Sequence, residues 1–302
     1  MRWRKLGRIF VPQRDLWWAR SYATMPTVEV RGEVLRIYFA ALDDQSMGRI
    51  GFIEVDAGDP LRVLYETPEP VLDLGRPGLF DDCGVNPSCV IRRGAERFLY
   101  YVGWQRCERV PYMLFAGLAV AQGEGPFVRI QETPVLDRTP SEPFLRSATT
   151  VLDDGGALRC WYVSGVGWTT VDERRLPTYV IRTARSADGV HWTSRAEPCI
   201  AAADPDEYGF GRPWVVRDGD LYRMWYSIRS RNAPYRIGYA ESADGELWAR
   251  KDAEVGIARS EEGWDSEMIC YPCVVDAMGE RYLFFNGNRN GSTGFGVAVC
   301  ER

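Results

Sequence analysis

Acidic and basic side chains recur shortly before five proline or threonine positions, each of which starts a β-rich run. These positions are Pro26, Pro87, Thr149, Pro213 and Pro272. Carboxylates precede four of them and arginines precede three; the residues are Asp81, Asp82, Glu142, Asp206, Glu207, Asp265 and Glu267, and Arg20, Arg146 and Arg212. One charged residue in a loop is usually only solvated, but its recurrence at one position of a repeat favours a shared site.

Carboxylates brought together in this way can cleave a glycosidic bond. One carboxylic acid protonates the departing oxygen, while a second carboxylate activates water or attacks the sugar, and their separation sets the stereochemistry. A third carboxylate can raise the pKa of the acid through like-charge repulsion. Aromatic rings at the mouth of such a site can stack on sugar faces, and the candidates are Trp17, Trp18, Trp104, Trp168, Trp264 and Tyr271.

An internal repeat must position these residues. Each of its five units contains a small or proline-bearing segment, a β-rich run, a turn and an aromatic-rich strand; the units span residues 23–42, 84–104, 146–168, 211–230 and 270–288. Aligned on the proline or threonine, they follow at steps of 61, 62, 64 and 59 residues. This period exceeds the roughly 40–50 residues of most propeller blades, and longer loops on one face would explain the excess.

Turn signals support the same architecture. Every unit has a hairpin turn rich in Gly and Asp, the residues that supply the positive φ of tight turns. The segments SADGVHW (186–192) and SADGELW (242–248) repeat in the second half of two units, so we predict structural roles for Asp188 and Asp244. No helical apolar period persists. The sequence predicts one all-β domain over residues 1–302, a five-bladed β-propeller with about four antiparallel strands in each blade.

The last unit ends after a third strand, at residues 294–302. The N-terminal segment WRKLGRIFVP resembles residues 248–258, which occupy the fourth-strand position of the preceding unit. We therefore predict that residues 3–11 add the fourth strand to the last blade. This pairing would close the ring and protect an open sheet edge.

Composition excludes several classes of partner. The net charge is −5 and no Lys/Arg-rich tract occurs, so nucleic acid is not expected. No apolar run has the length of a signal peptide or membrane span, which predicts a cytoplasmic protein without membrane contact. The eight cysteines are expected to be free thiols. The lone CxxC at Cys270 and Cys273 has no second pair, and the only histidine is His191, so we predict neither a metal site nor a cofactor.

Several of these motifs resemble the five-bladed glycoside hydrolase superfamily, which includes arabinanases and xylosidases, levanases and invertases, and β-mannoside phosphorylases. They are LFDDCGVNPS (79–88), YYVGW (100–104), FGRPWVV (210–216), RMWYS (223–227), the two SADGxxW segments, GWDSEMICYP (263–272) and FFNGN (284–288). The resemblance covers almost the whole chain. It is specific for the fold and weaker for activity, because one fold hosts many functions.

The resemblance implies a carboxylate on each of the first three blades, acting as base or nucleophile, as pKa modulator or stabiliser, and as general acid. Blade two offers Asp81 or Asp82, and blade three offers Glu142 as the acid. Blade one departs from this pattern, since its segment ARSYATMP contains Arg20 and Ser21 but neither Asp nor Glu.

We predict a carbohydrate-active enzyme that cleaves or transfers a glycosidic bond, with Glu142 or Glu207 as general acid and Asp81, Asp82 and Asp265 in assisting roles. Because arginine binds phosphate or carboxylate bidentately, the ligand is expected to carry an anionic group. Two other functions stay open: a phosphorylase, which needs only the general acid, and a non-catalytic propeller that binds a glycan or sugar nucleotide. It also stays open that some of the arginines form structural ion pairs. The residues expected to bind a saccharide or sugar phosphate are Arg20, Ser21, Asn86, Trp104, Arg146, Trp168, Arg212, Arg229, Glu267, Tyr271 and Asn286.

Overall fold

The computed structural model describes residues 1–301 and builds them almost entirely from β-strands, as the sequence predicts. It contains twenty strands, one 3-10 turn at Asp252–Glu254 and one four-residue helical turn at Asn288–Gly291. Neither helical turn approaches the length and apolarity that a membrane crossing requires of a helix.

Within residues 1–301 the strands form three sheets, of 4, 12 and 4 strands, and the antiparallel pairings within these sheets define five groups of four strands. Group one contains β2 (Ser21–Arg31), β3 (Val34–Leu42), β4 (Gly48–Asp56) and β5 (Val63–Glu66). Group two contains β6 (Gly84–Arg93), β7 (Glu96–Arg106), β8 (Tyr112–Gln122) and β9 (Val128–Arg129). Group three contains β10 (Arg146–Asp154), β11 (Ala157–Val171), β12 (Arg174–Ser186) and β13 (Thr193–Ser194). Group four contains β14 (Glu207–Asp218), β15 (Leu221–Ser230), β16 (Arg236–Ser242) and β17 (Ala249–Arg250). Group five contains β18 (Cys270–Ala277), β19 (Glu280–Asn286), β20 (Phe295–Cys300) and β1 (Trp3–Phe10).

The first and last strands of the chain lie in the same group. β1 pairs antiparallel with β20, so that Trp3 lies opposite Cys300 and Phe10 lies opposite Phe295. Without β1, the outer edge of β20 would expose unpaired backbone N–H and C=O groups.

Apolar side chains fill the spaces between neighbouring groups. Separate clusters join group one to two, group two to three and group three to four. A larger cluster joins groups four, five and one. Two single parallel pairings, Gly48 with Gly84 and Phe115 with Arg146, also link the first three groups by hydrogen bonds. The packing therefore brings the first strands of all five groups near one another.

The SADG segments have the structural role that the sequence predicts for Asp188 and Asp244. The Oδ1 atom of Asp188 accepts hydrogen bonds from the backbone N–H groups of Val190 and His191, at 2.8 and 2.9 Å. Asp244 accepts two bonds of the same lengths in the second copy. In each copy the tryptophan that follows donates its indole N–H to the turn glycine carbonyl at 3.1 Å. The carboxylates of both aspartates therefore stabilise turns.

Candidate ligand pocket

The residues that directly precede the five aligned proline or threonine positions meet in one cavity of about 390 Å³. They are Met25, Asn86, Ala148, Arg212 and Tyr271, one from the first strand of each group. The repeat predicts this convergence, since equivalent positions of equivalent strands face the same axis. The cavity is called the central pocket below.

Backbone distortion directs these side chains into the central pocket. The pairing register of every first hairpin shifts close to the aligned position, which is the mark of a β-bulge. Met25, Ala148, Arg212 and Tyr271 have positive φ angles of 57°, 51°, 35° and 55°. Non-glycine residues in this region cost of order 1–3 kcal/mol each, and such strain is concentrated at functional sites.

Arg212 reaches from group four to three other groups. Its Nη2 donates to Thr27 Oγ1 at 2.7 Å and lies 3.5 Å from the carbonyl of Ser88, while Nη1 donates to the Tyr271 carbonyl at 3.2 Å. The residue is 1% exposed, and its Nε has no hydrogen-bond partner in residues 1–301. Burial lowers the pKa of Arg212 to about 10, so the guanidinium is still charged at neutral pH. A buried cation without a counter-ion is costly, and an anionic ligand would compensate it.

A second arginine, Arg229, lies among tyrosines. Its guanidinium carbon is 5.3, 5.9 and 5.2 Å from the ring centres of Tyr179, Tyr208 and Tyr235, within the range of cation–π attraction. Nε donates to the Tyr235 hydroxyl, while Nη1 is buried without a partner among residues 1–301. Burial is the main cause that raises the pKa values of Tyr179, Tyr235 and Tyr271, so these hydroxyls remain neutral hydrogen-bond donors.

The carboxylates predicted to be catalytic lie outside the lining of the central pocket, each held by hydrogen bonds or an ion pair. Asp81 Oδ2 is 2.8 Å from Arg129 Nε, a residue of the fourth strand of its group. Glu142 accepts a hydrogen bond from the Tyr162 hydroxyl at 2.9 Å and pairs with Arg146 Nε at 3.2 Å.

The other two predicted carboxylates that are buried, Glu207 and Asp265, are also paired with cations. The two carboxylate oxygens of Glu207 lie 2.7 Å from two nitrogens of Arg250, and one of them lies 3.1 Å from Arg236. Asp265 pairs with Lys5 at 2.5 Å. As with Asp81, the cations closest to Glu207 and to Asp265 lie on the fourth strand of the same group. Within residues 1–301, no Asp or Glu lines the central pocket.

The structure therefore does not bring these carboxylates into the lining of the central pocket beside Arg212 and Arg229. They precede the aligned position by five to seven residues, in segments that enter the sheet, and a buried carboxylate is stable there only beside a cation. Whether any of them is catalytic stays a prediction. Asp82 differs from the other carboxylates because its partner is a backbone amide and not a cation. Its Oδ2 accepts the Gly78 N–H in a turn at 2.7 Å.

The predicted binding residues divide into two sets. Five of them line the central pocket: Asn86, Trp104, Arg212, Arg229 and Tyr271. The others do not line it: Arg20, Ser21, Arg146, Trp168, Glu267 and Asn286. Arg20 pairs with Asp44 at 3.4 Å, and Glu267 pairs with Arg289 at 3.6 Å, both outside the pocket.

Asn286 acts on the pocket indirectly. It is fully buried, and its Oδ1 accepts the backbone N–H of Met25 at 2.7 Å, while its Nδ2 donates to the Ala23 carbonyl at 2.6 Å. It therefore holds the bulged segment of β2 from group five. Trp168 packs against the apolar cluster that contains Met25 and Tyr179, behind the lining.

Sequence reasoning missed several lining residues, chiefly the tyrosines Tyr22, Tyr112, Tyr179 and Tyr235. Tyr22 lies in the segment before Pro26 and could have been found from the repeat. Tyr112 and Tyr179 belong to the third strands β8 and β12, whose ends reach the pocket because the hairpins are long. No periodic signal marks those two.

No protein-family model matches this sequence. Over all 302 residues, the chain is 42% identical to "Uncharacterized protein Rv1502" of Mycobacterium tuberculosis strain H37Rv, and 42% identical to "Uncharacterized protein MT1551" of strain CDC 1551. Each relative is covered over its full length. The chain belongs to their family. The relationship leaves the activity of this family to be inferred from the site.

Solved structures show what fold this family has. A glycoside hydrolase matches with a TM-score of 0.78 at 20% identity, over 98% of this chain and 90% of that one. A glycosyl hydrolase from Bacteroides ovatus matches with a TM-score of 0.75 at 13% identity, over 98% and 92%. A member of the GH130 family, whose description names mannoside phosphorylases and β-1,2-mannosidic linkages, matches with a TM-score of 0.74 at 12% identity, over 98% and 93%. The predicted resemblance is confirmed for the fold.

Proposed function

We propose that this protein binds a saccharide carrying a carboxylate or phosphate group in the central pocket of a five-bladed propeller. The observation that carries the proposal is the charge of the lining: two arginines without an ion-pair partner among residues 1–301, and no carboxylate beside them. Water compensates a buried guanidinium poorly, so a ligand anion contributes more binding free energy here than at the surface.

The pocket also has the general composition of a sugar site. The rings of Tyr22, Tyr112 and Trp104 line it, and the two tyrosines also contribute hydroxyls, together with the amides of Asn86 and Asn290. Such groups combine apolar contact with hydrogen bonding, which is what the two faces of a pyranose require. The likeness to glycoside hydrolases supports a carbohydrate-related role for the fold. The five groups would be the blades, and β1 would close the ring.

Binding without hydrolysis has the stronger support. Hydrolysis with two carboxylates needs both of them at the scissile bond, about 5–10 Å apart. The strongest candidates for the acid, Glu142 and Glu207, lie outside the lining and are held in ion pairs. Phosphorolysis also needs an acid at the bond. We therefore place the non-catalytic alternative ahead of cleavage.

A thermal-shift panel on the whole chain tests this proposal. Neutral oligosaccharides, acidic sugars, sugar nucleotides and inorganic phosphate would each be added at millimolar concentration, and ligand at 100 times its Kd would stabilise by roughly 2.7 kcal/mol. We expect melting-temperature shifts with anionic compounds only. A shift with neutral oligosaccharides alone would contradict the anionic site. Release of products from any compound that shifts the melting temperature would support the enzymatic alternative instead.

A further inference from the structure

We propose that the bound ligand extends out of the central pocket into a neighbouring groove, so that it is an anionic oligosaccharide of at least two units. This inference rests on the proposed function. The groove measures about 700 Å³ and lies between the tip of the β11–β12 hairpin and the loop that joins β15 to β16. Arg229 and Tyr235 line both the groove and the central pocket, so the two spaces adjoin at these residues.

The β11–β12 hairpin forms a common wall. Its strands, of 15 and 13 residues, are the longest among residues 1–301, and their pairing continues out to Val171 and Arg174. Val163 and Tyr179 of this hairpin face the central pocket, whereas Asp172 and Arg174 line the groove. At about 3.3 Å per residue, the part beyond Tyr179 extends the wall by roughly the length of two or three sugar units.

The groove has an excess of positive charge. Arg174, Arg229 and Arg231 line it, against the single carboxylate of Asp172. Arg231 is held in place, since its guanidinium donates to Thr169 Oγ1 at 2.8 Å and to the Thr170 carbonyl at 3.1 Å. A fixed cation loses less conformational entropy when an anion binds. The unit that occupies the groove therefore also carries an anionic group.

Aromatic packing in the groove disfavours a nucleotide. A nucleobase needs an open ring face for stacking, but the ring of Tyr208 lies 5.9 and 5.8 Å from the guanidinium carbons of Arg229 and Arg231. Tyr235 is occupied in the same way by Arg229 and Tyr271. Ser230 and Asn232 also line the groove, and their hydroxyl and amide groups suit sugar hydroxyls.

The test measures equilibrium binding to immobilised glycans. The probes are uronic-acid and ulosonic-acid glycans of one, two and three units, their neutral counterparts, and uridine and guanosine diphosphate sugars. We expect two acidic units to bind at least ~10-fold more tightly than one. The double variant R174A/R231A should lose this gain and keep the affinity for one unit. The matched control is R175A, which changes an exposed arginine of the same hairpin that does not line the groove.

The outcomes separate the two proposals. Equal affinity for one, two and three acidic units would overturn the groove while leaving the central pocket supported. The groove would also be overturned if the double variant kept the gain, or if only sugar nucleotides bound. Failure of the wild-type chain to bind any anionic glycan or sugar nucleotide would overturn the proposed function and the groove with it.

Discussion

Lys5 and Asp265, 260 positions apart in the chain, form an ion pair with 2.5 Å between Nζ and Oδ2. Asp265 is almost completely buried, and Lys5 lies on β1, the strand that completes group five. The same lysine also donates to Ser260 Oγ at 2.9 Å. The N-terminal strand therefore supplies both a sheet edge and the counter-ion of a buried carboxylate.

We expect Lys5→Met to lower the free energy of unfolding by about 2 kcal/mol, because it leaves Asp265 buried and unpaired; the partial exposure of Lys5 keeps the loss below that of a fully buried pair. Deletion of residues 1–11 should destabilise the whole protein more strongly. Urea unfolding monitored by tryptophan fluorescence measures both effects. Arg4→Ala, an exposed change on the same strand, is the control. An unchanged free energy of unfolding after the deletion would show that β1 is not needed to close the proposed propeller.

Arg212→Met should weaken binding of anionic ligands at least ~10-fold, by removing the buried cation of the pocket. Stability should be unchanged or increased, since the variant removes a buried charge that has no counter-ion. Calorimetric titration and thermal unfolding give the two quantities. Arg217→Met, on the same strand but exposed and paired with Asp154, is the matched control. Undiminished affinity in the Arg212 variant would place the anion elsewhere.

Glu142→Gln should preserve ligand affinity within about 3-fold and lower stability by about 3 kcal/mol, because Glu142 is the buried partner of Arg146 and does not line the pocket. Glu197→Gln, an exposed change in the same part of group three, is the control for altered net charge. If the wild-type protein turned over a glycoside and the Glu142 variant did not, this result would support Glu142 as the general acid.

The ion pairs of Glu207 lead us to expect that the protein loses stability in acid. Burial disfavours its ionised form, but hydrogen bonds from Arg250 and the Ala203 N–H, with nearby positive charge, outweigh burial and hold the pKa of Glu207 below its ordinary value of 4.5. The stabilisation is therefore complete above pH 4.5 and is lost as the pH falls through the folded-state pKa. Glu207→Gln should be less stable at pH 7 and should lose less stability between pH 5 and 3. Parallel acid-dependence curves for the two proteins would contradict this assignment.

Ala148→Gly tests the strain at the pocket. Glycine tolerates a φ of 51° without steric cost, so we expect this change to be neutral or to stabilise by up to ~1 kcal/mol. Ala119→Gly, in a buried strand with no positive φ, should destabilise by at least ~0.5 kcal/mol. Chemical unfolding compares the two variants. Equal destabilisation would mean that the backbone at Ala148 carries no strain.

The repeat made much of the fold predictable. The alignment of Pro26 with its four equivalents correctly predicts that five neighbouring residues, including Arg212 and Tyr271, meet in one place. Strand periodicity and turn glycines are local signals, and they survive in each copy. The all-β class follows from the sequence for the same reason.

The catalytic set could not be predicted in the same way. Whether Glu142 faces a ligand or Arg146 depends on the direction of its side chain at the sheet entrance, and a charge pattern carries no such information. Lys5 and Asp265 illustrate the difficulty, because partners 260 residues apart leave no local trace. Tyr179 lines the pocket only because its hairpin is long enough to reach it.

The position of Arg212 also bears on how a ligand would enter and leave the protein. Its guanidinium is bonded to Thr27 and Tyr271 and lies next to the Ser88 carbonyl, so it fills the space between the first strands of groups one, two, four and five. In the proposed propeller, this side chain would block passage along the axis from one face to the other. A ligand would then leave by the mouth through which it came, and a long glycan would present only its terminal residue to the pocket.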